Sequence, residues 1–263
     1  MGEAIVITSG KGGVGKTTTT ANIGTALALK GKKVCLVDTD IGLRNLDVIM
    51  GLENRIIYDI IDVVEGRCKL KQALIKDKRF DCLYLLPAAQ TKDKTAVMPE
   101  QIKEIIDELK QDYEYIIIDC PAGIEQGFRN AIAGADKAIV VTTPEIPAVR
   151  DADRIIGLLE QEKMEAKLII NRIRSQMMRD GEILDVDEIM NILAIDILGI
   201  VLDDEEVIKQ SNKGEPVALI PTSKASIAYR NIARRLLGET VPLMALEEEK
   251  GFFAKIKQFF SIR

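Results

Sequence analysis

A glycine-rich stretch near the start of the chain has the residue types and spacing that phosphate chemistry needs. Residues 10–18 read GKGGVGKTT, between an apolar run at 4–7 and a helix-like segment at 19–30. Glycines allow backbone angles closed to other residues, so successive N–H groups can converge on phosphate oxygens beside the positive end of a helix dipole. Lys16 would neutralise the terminal phosphates, and the Thr17 hydroxyl would bind Mg²⁺. This context favours a phosphate-binding loop over a solvated turn. The predicted contacts come from Gly12, Gly13, Val14, Gly15, Lys16, Thr17 and Thr18.

Aspartates follow two other apolar runs. After the run at 34–37 the chain reads DTD, so Asp38 and Asp40 point the same way from an extended segment. Such carboxylates can hold Mg²⁺ through water or orient an attacking water; alternatively, one of them only caps the next turn. The run YIII at 115–118 ends in Asp119 and is followed by CPAG, the Walker B pattern of an apolar strand and an aspartate that serves the metal.

A polar pair after the sixth apolar run is a candidate base-binding site. The amide of Asn171 has the donor and acceptor that an adenine edge requires, and Arg172 follows it. An ordinary asparagine at a strand end is the alternative. The chain has no Asn-Lys-x-Asp run, the usual guanine reader, so we predict ATP rather than GTP.

A proline-containing loop at 142–147 reads TTPEIP and leads into a predicted helix at 148–162. The two prolines predict an exposed loop, and therefore a plausible partner surface. Asp151 and Asp153 lie in the first turns of the helix. We weigh two interpretations of them evenly, compensation of the helix dipole and a functional role.

The last residues predict an element separate from the core. Residues 250–263 read KGFFAKIKQFFSIR, which contains four of the six phenylalanines and no acidic residue, after EEE at 247–249. On a helix the apolar side chains fall within an arc of about 120°, with lysines on its flanks. Such a helix would be about 18 Å long, too short to span a bilayer but suited to lying in its surface. A helix docked on the core is the alternative. The predicted membrane contacts are Phe252, Phe253, Lys255, Ile256, Lys257, Phe259 and Phe260.

Composition restricts the class of protein. The 263 residues carry a net charge of −5, so bulk electrostatics do not favour nucleic acid. The absence of histidine removes imidazole bases and histidine metal ligands. The four cysteines lack CxxC spacing, which favours free thiols in a reducing cytoplasm. We expect no signal peptide, N-myristoyl group or membrane-spanning segment.

The apolar runs predict the fold. They alternate with helical segments, which indicates a parallel sheet covered on both faces. No linker divides the chain. We therefore predict an α/β fold with one doubly wound, mostly parallel domain over residues 1–246, followed by the lead-in and amphipathic helix at 247–263. The strand-like runs are 4–7, 34–37, 83–86, 115–118, 138–141, 168–170, 198–201 and, more weakly, 217–220.

Together these motifs resemble those of the MinD/ParA family of P-loop ATPases. The phosphate loop has the extra lysine, Lys11, of the family's deviant Walker A motif; DTDIGLRNLD at 38–47 and DCPAGIE at 119–125 are similar to its next two motifs. The terminal helix resembles the membrane-targeting helix of the MinD branch. The likeness covers essentially the whole chain.

The resemblance implies roles for individual residues. Lys11 would reach across an ATP-bound homodimer to the partner's phosphates, and Asp40 would position the hydrolytic water. Asp38 and Asp119 would serve Mg²⁺ with Thr17, and Asn171 would contact adenine. We therefore expect Lys11, Lys16 and Asp40 to be catalytic. Arg44, Asp47 and Asp151 would lie on a nucleotide-responsive partner surface.

The resemblance also implies partners and a location. The expected protein is cytoplasmic and reversibly peripheral on the inner face of the cell membrane. It would bind itself, an anionic membrane surface, the division inhibitor MinC, and MinE or another topological regulator, and hydrolysis would release it from the membrane. A ParA-type DNA-partition ATPase, a flagellar-placement ATPase of the same family, and a nucleotide-gated scaffold with negligible turnover are the alternatives. Iron–sulfur members of the superfamily are disfavoured because no cysteines lie in a cluster arrangement.

Overall fold

The computed structural model describes residues 1–90 and 96–244, which form an eight-stranded sheet with helices on both faces. The strands are β1 Glu3–Thr8, β2 Val34–Asp38, β3 Ile75–Lys76, β4 Leu83–Leu86, β5 Tyr115–Asp119, β6 Lys137–Thr142, β7 Glu165–Ile173 and β8 Ile197–Leu202. The helices are α1 Lys16–Leu29, α2 Leu46–Met50, α3 Ile60–Val64, α4 Leu70–Ala73, α5 Pro99–Asp112, α6 Gln126–Ile132, α7 Ile146–Gln161, α8 Ser175–Arg179, α9 Val186–Leu193, α10 Glu205–Ser211 and α11 Lys224–Leu236. Short 3-10 helices occupy Glu53–Arg55 and Val217–Leu219.

The strand order is β3-β4-β2-β5-β1-β6-β7-β8, and every pairing except β3–β4 is parallel. This order places β1 between β5 and β6, so the chain leaves β1 near the point where the winding reverses. Ligands of such sheets bind at the carboxyl ends of the strands near that point. The predicted doubly wound, mostly parallel α/β fold is therefore confirmed for the described residues.

The core lies in two layers, one on each face of the sheet. Helices α5, α6 and α7 pack on one face, and α1, α2 and α11 pack on the other. The central strands are buried on both sides, which is why they appear as continuous apolar runs rather than as alternating patterns. All four cysteines are free, and Cys35 and Cys120 are buried in the core.

The predicted weak strand at 217–220 is wrong, because Val217–Leu219 forms a 3-10 helix. Side chains satisfy its backbone in place of a neighbouring strand: Asn22 Oδ1 accepts the Ala218 N–H at 2.7 Å, and Arg230 Nε donates to the Ala218 carbonyl at 2.9 Å. The edge strand β3, with only two residues, left no apolar pattern from which to predict it.

The end of the described chain is tied to the sheet by one arginine. Arg235, near the end of α11, donates to the carbonyls of Leu198, Val241 and Pro242 at 2.9, 2.9 and 2.6 Å. The predicted membrane helix at 247–263 lies outside the described residues.

Candidate functional site

The loop between β1 and α1 is closed around a buried lysine. Gly13 and Gly15 have φ angles of 79° and 100°, in the left-handed region that glycine enters without steric cost. Lys16 is buried, and its Nζ donates to Ser9 Oγ at 3.0 Å. Ser9 Oγ donates in turn to the Lys11 carbonyl at 2.8 Å. The loop therefore holds the Lys16 ammonium group in its interior, beside the start of α1.

The same loop fits a phosphate chain. A Cβ on Gly13 would meet nothing within 4 Å, and one on Gly12 would meet only the Ala122 methyl group, at 3.8 Å. Helix α1 begins at the next residues, with Thr17 and Thr18 half-buried in its first turn. The first N–H groups of a helix have no partner within it, so this end of α1 and the open loop together form an anion-binding cradle.

Two aspartates lie side by side at the edge of the sheet next to this loop. Asp38 ends β2 and Asp119 ends β5; the two are Cα partners in the parallel pair, and each is 1% exposed. Asp119 Oδ1 accepts the Thr20 hydroxyl at 3.2 Å. Asp38 accepts the N–H groups of Asp40 and Leu46 at 2.9 and 3.3 Å. Asp38 therefore caps the turn after β2, which was the plain alternative for one of these carboxylates.

Burial raises the pKa of both carboxylates in this pair. Burial raises the pKa of Asp119 to about 7, while hydrogen bonds from Thr17 and Thr20 and the charge of Lys16 act in the opposite direction. Burial and the neighbouring Asp119 charge together hold the pKa of Asp38 well above its usual range. The charge of Lys16 does not offset the effect of burial on this pair, and a divalent cation would add the positive charge that favours the ionised carboxylates.

The donor set suits Mg²⁺. The described residues contain no group of three or more Asp, Glu, Cys or His arranged to hold a metal ion. The site instead offers a few hard oxygens, from Asp38, Asp119 and Thr17. Mg²⁺ is typically held by one or two carboxylates together with water and phosphate oxygens, and a site of this composition fits it.

Two further predicted catalytic residues lie at the rim. Lys11 is exposed, where a second molecule can reach it. Asp40 is half-exposed, and its carbonyl accepts the N–H groups of Leu43 and Arg44 at 3.2 and 3.1 Å. The roles of Lys11 and Asp40 in hydrolysis stay predictions.

Asn171 is directed at the phosphate loop. Its Nδ2 donates to the Val14 carbonyl at 2.8 Å, and the residue is 5% exposed. Arg172 beside it is exposed and has a φ of 55°. The burial of Tyr229 raises its pKa to about 12, and the positive charge of Arg172 opposes that rise. Arg172 therefore lies near α11, and contact of either residue with adenine stays a prediction.

The predicted partner surface is only partly exposed. Asp47 is 1% exposed, and its part in the partner surface stays a prediction. Its Oδ2 lies 3.0 Å from Arg44 Nε, beneath an arginine side chain that is itself only 13% exposed. Asp47 thus anchors Arg44 from below, and burial raises the pKa of Asp47 despite the arginine's charge.

Helix α7 begins earlier than predicted, at Ile146, so it includes the last two residues of the predicted loop. Thr142, Thr143 and Pro144 are buried, and exposure starts at 145–147. Asp151 is half-exposed and Asp153 is exposed on this helix. Four large apolar side chains are at least 49% exposed on the segments that follow the strand ends, namely Leu43, Val48, Ile124 and Ile146.

Sequence reasoning missed the residues that support the site. Ser9 holds Lys16, Thr20 holds Asp119, and the Thr39 hydroxyl donates to the Asp119 carbonyl at 2.6 Å. One signal for Thr20 was available: it lies four residues after Lys16, on the same face of α1. Ser9 and Thr39 each also donate to a backbone carbonyl, and such a contact leaves no pattern in the sequence.

No helix within residues 1–90 and 96–244 is long and apolar enough to cross a bilayer. The predicted membrane contacts Phe252, Phe253, Lys255, Ile256, Lys257, Phe259 and Phe260 all lie outside the described residues.

Comparisons with known proteins identify the family of this chain. A family profile for the CobQ/CobB/MinD/ParA nucleotide binding domain matches residues 5–217. The chain is 73% identical over 267 residues to the septum site-determining protein MinD of Bacillus subtilis (strain 168), and the match covers 100% of each chain.

Two solved structures are similar throughout the described core. The MinC:MinD cell division protein complex of Aquifex aeolicus has a chain that is 52% identical, with a TM-score of 0.87, covering 92% of this chain and 99% of that one. The septum site-determining protein MinD of Pyrococcus horikoshii OT3, complexed with Mg-ADP, is 30% identical with a TM-score of 0.82, covering 90% and 96%.

Proposed function

This chain belongs to the MinD family of septum site-determining ATPases, and we propose that it couples Mg²⁺-dependent ATP hydrolysis to dimerisation and reversible membrane attachment. It acts in septum placement through MinC, the partner in the Aquifex aeolicus complex. The observation that carries the enzymatic proposal is the buried pair Asp38 and Asp119, adjacent to a loop that encloses Lys16.

The residues divide the work of phosphoryl transfer. Lys16 and the backbone of residues 12–18 bind and orient the phosphates, and Asp40 orients the attacking water. Mg²⁺ held near Thr17, Asp38 and Asp119 would neutralise charge on the phosphate oxygens. Phosphoryl transfer depends on positioning and charge neutralisation more than on a strong base, so a chain without histidine suffices.

Lys11 makes hydrolysis depend on a second copy. It is exposed beside its own loop, whereas Lys16 already occupies the interior. A lysine supplied by the facing subunit would act as an arginine finger does, by stabilising charge that develops in the transition state. The active form is then an ATP-bound homodimer, in which each Lys11 serves the partner's site.

The C-terminal segment connects the dimer to the membrane. The amphipathic sequence at 250–263 would bind anionic lipid only weakly by itself, as a single anchor does. Two such segments on one dimer gain avidity through effective concentration, so ATP favours attachment and hydrolysis favours release. MinE or another topological regulator would set where release occurs.

Sedimentation with anionic vesicles in ADP, ATP and a slowly hydrolysed ATP analogue tests this proposal. We expect pelleting with ATP and more with the analogue, together with a dimer by size analysis, and little pelleting with ADP. A chain ending at residue 246 should hydrolyse ATP but stay in the supernatant. Equal pelleting in all three nucleotides, or ATP-dependent pelleting of the truncated chain, would contradict the membrane switch. Salt-sensitive binding to nonspecific DNA in its place would favour a DNA-partition ATPase.

A further inference from the structure

Asn171 contacts the backbone of the phosphate loop at the peptide between Val14 and Gly15. Its Nδ2 donates to the Val14 carbonyl at 2.8 Å. The fit is close, because a Cβ on Gly15 would lie 2.4 Å from the same nitrogen. Both Asn171 and Val14 are at least 95% buried, so this bond is shielded from competing water.

The alternation of side chains along β7 accounts for the position of this amide, and a bulge follows it. Ile169 faces the α1 side of the sheet and Ile170 the opposite side, so Asn171 returns to the α1 side, next to the loop. The β7–β8 register shifts between Ile170 and Ile173, and Arg172 has a positive φ. Ile173 is thereby brought back to the side of Ile170. The bulge lets the strand end on an apolar side chain while the polar one faces the loop.

The hydrogen bond from Asn171 to the Val14 carbonyl determines the direction of the Gly15 N–H group, a donor in the proposed phosphate site. The Val14 carbonyl and the Gly15 N–H belong to one planar, trans peptide, so they point in opposite directions. Holding the carbonyl toward Asn171 therefore holds the Gly15 N–H away from it. The peptide beside a glycine has more freedom to flip than others, and a flip here would replace a donor with a carbonyl oxygen.

We propose that Asn171 is a positioning residue for the phosphates: its amide clamps the Val14–Gly15 peptide in the orientation that presents the Gly15 N–H to phosphate. The proposal rests on the nucleotide site proposed above and extends it. If Asn171 only contacted adenine, its loss would lower the affinity for ATP alone. If it orients the Val14–Gly15 peptide, its loss also lowers the affinity for a phosphate chain that has no base.

Inorganic tripolyphosphate with Mg²⁺ separates the two roles. Affinities for Mg²⁺–tripolyphosphate and Mg²⁺–ATP would be measured by calorimetry for the wild type, Asn171→Ala and Asn171→Leu. We expect both variants to lose roughly tenfold or more in affinity for tripolyphosphate as well as for ATP, because the buried carbonyl loses its donor and the peptide is free to turn. Asn54→Ala is the matched control, since Asn54 is exposed and its Nδ2 donates to the side chain of its neighbour Glu53. It should leave both affinities unchanged.

A second measurement uses the nucleotide-free protein. Hydrogen exchange at the Gly15 N–H should be faster in Asn171→Ala than in the wild type, whereas exchange in the central strands should not change.

Two results would overturn the clamp. One is a loss of affinity for ATP with tripolyphosphate binding within about twofold of the wild type, which would leave Asn171 as a base-reading residue only. The other is unchanged exchange at Gly15. Loss of the cooperative unfolding transition in both variants would also contradict a local role. A wild-type chain that bound neither ligand would refute the nucleotide site itself, not the clamp.

Discussion

Gly10 of the phosphate loop lies against the backbone of Asp151 in α7: a Cβ on Gly10 would be 2.1 Å from the Asp151 carbonyl oxygen. Only a glycine permits so close an approach of two backbones. The loop that would bind phosphate and the helix predicted to bind a partner therefore cannot move independently at this point. A change in the loop on nucleotide binding has a direct path to α7.

Gly10→Ala should disturb the loop and the helix together. The added methyl group meets backbone, which cannot rotate away, so we expect the free energy of unfolding to fall by about 1–3 kcal/mol, with weaker ATP and MinC binding. Gly157→Ala on the same helix is the control, because a Cβ there meets nothing within 4 Å. It should stabilise the protein by about 0.5–1 kcal/mol and leave both affinities unchanged. Chemical denaturation measures the free energy of unfolding, and calorimetry measures the two affinities. If Gly10→Ala bound ATP and MinC with wild-type affinity, the coupling between the loop and α7 would be refuted.

Lys11→Ala should abolish dimerisation-dependent hydrolysis without affecting the fold. The side chain is exposed, so its removal leaves no buried group unpaired. The measurement is the ATPase rate per chain over a range of protein concentrations, with thermal unfolding as a check on the fold. Lys71→Ala removes another exposed lysine, 77% exposed in its side chain, and should behave as the wild type does. A variant whose rate per chain still rises with concentration would exclude the role in trans.

Asp119→Asn should remove part of the pH dependence of stability in the nucleotide-free, Mg²⁺-free protein. Burial raises the pKa of Asp119 from 3.8 to about 7, so between these values the folded chain holds a proton that the unfolded chain has lost. The free energy of unfolding therefore falls as pH rises through this window. We expect the variant to unfold at a higher temperature than the wild type at pH 8, with the difference shrinking toward pH 4.

Calorimetric scans at pH 5, 6, 7 and 8 measure this effect, and Asp81→Asn is the control, since Asp81 is 97% exposed in its side chain. The same Asp119→Asn variant should bind Mg²⁺–ATP more weakly, because it has lost a carboxylate next to the phosphate loop. Parallel pH profiles for Asp119→Asn and the wild type would show that Asp119 does not titrate in this range.

Asp47→Asn should weaken MinC binding although Asp47 itself is buried. Its carboxylate fixes Arg44, whose φ of 37° is unusual for a residue with a side chain. Without that anchor the Arg44 side chain no longer holds one orientation, so the affinity for MinC falls. Removal of the buried Asp47 charge offsets part of the stability that is lost with the Arg44–Asp47 ion pair. Titration with MinC measures the affinity, and thermal unfolding should show a small change. Asp112→Asn, at an exposed site ending α5, should bind MinC normally. Full MinC affinity in Asp47→Asn would mean that the surface does not depend on Arg44.

The sequence predicted what depends on local pattern. Parallel strands end at one edge of a sheet, so a glycine-rich loop after β1 and aspartates after β2 and β5 had to meet there. The structure places Asp38 and Asp119 as register partners at that edge. Central strands were recognisable because burial on both faces makes them uniformly apolar.

What the sequence could not predict involves backbone contacts over long separations. The Asn171 bond to the Val14 carbonyl spans 157 residues, and no local sequence pattern indicates a contact with backbone over that separation. The family resemblance implied a partner surface that includes Asp47, and only packing shows that its carboxylate is buried against Arg44. The run at 217–220 is apolar enough for a strand, but Asn22 and Arg230 supply its hydrogen bonds from outside any ladder.

Arg235, through its three bonds to backbone carbonyls, holds residues 241 and 242 against β8 at the end of the described residues. In a dimer, the separation of these two ends would then be set by how the rigid domains face each other. Simultaneous attachment of both C-terminal segments to lipid would then depend on that separation. A few residues of flexible sequence inserted after Met244 would weaken this dependence, with the ATPase residues and the proposed membrane helix unchanged.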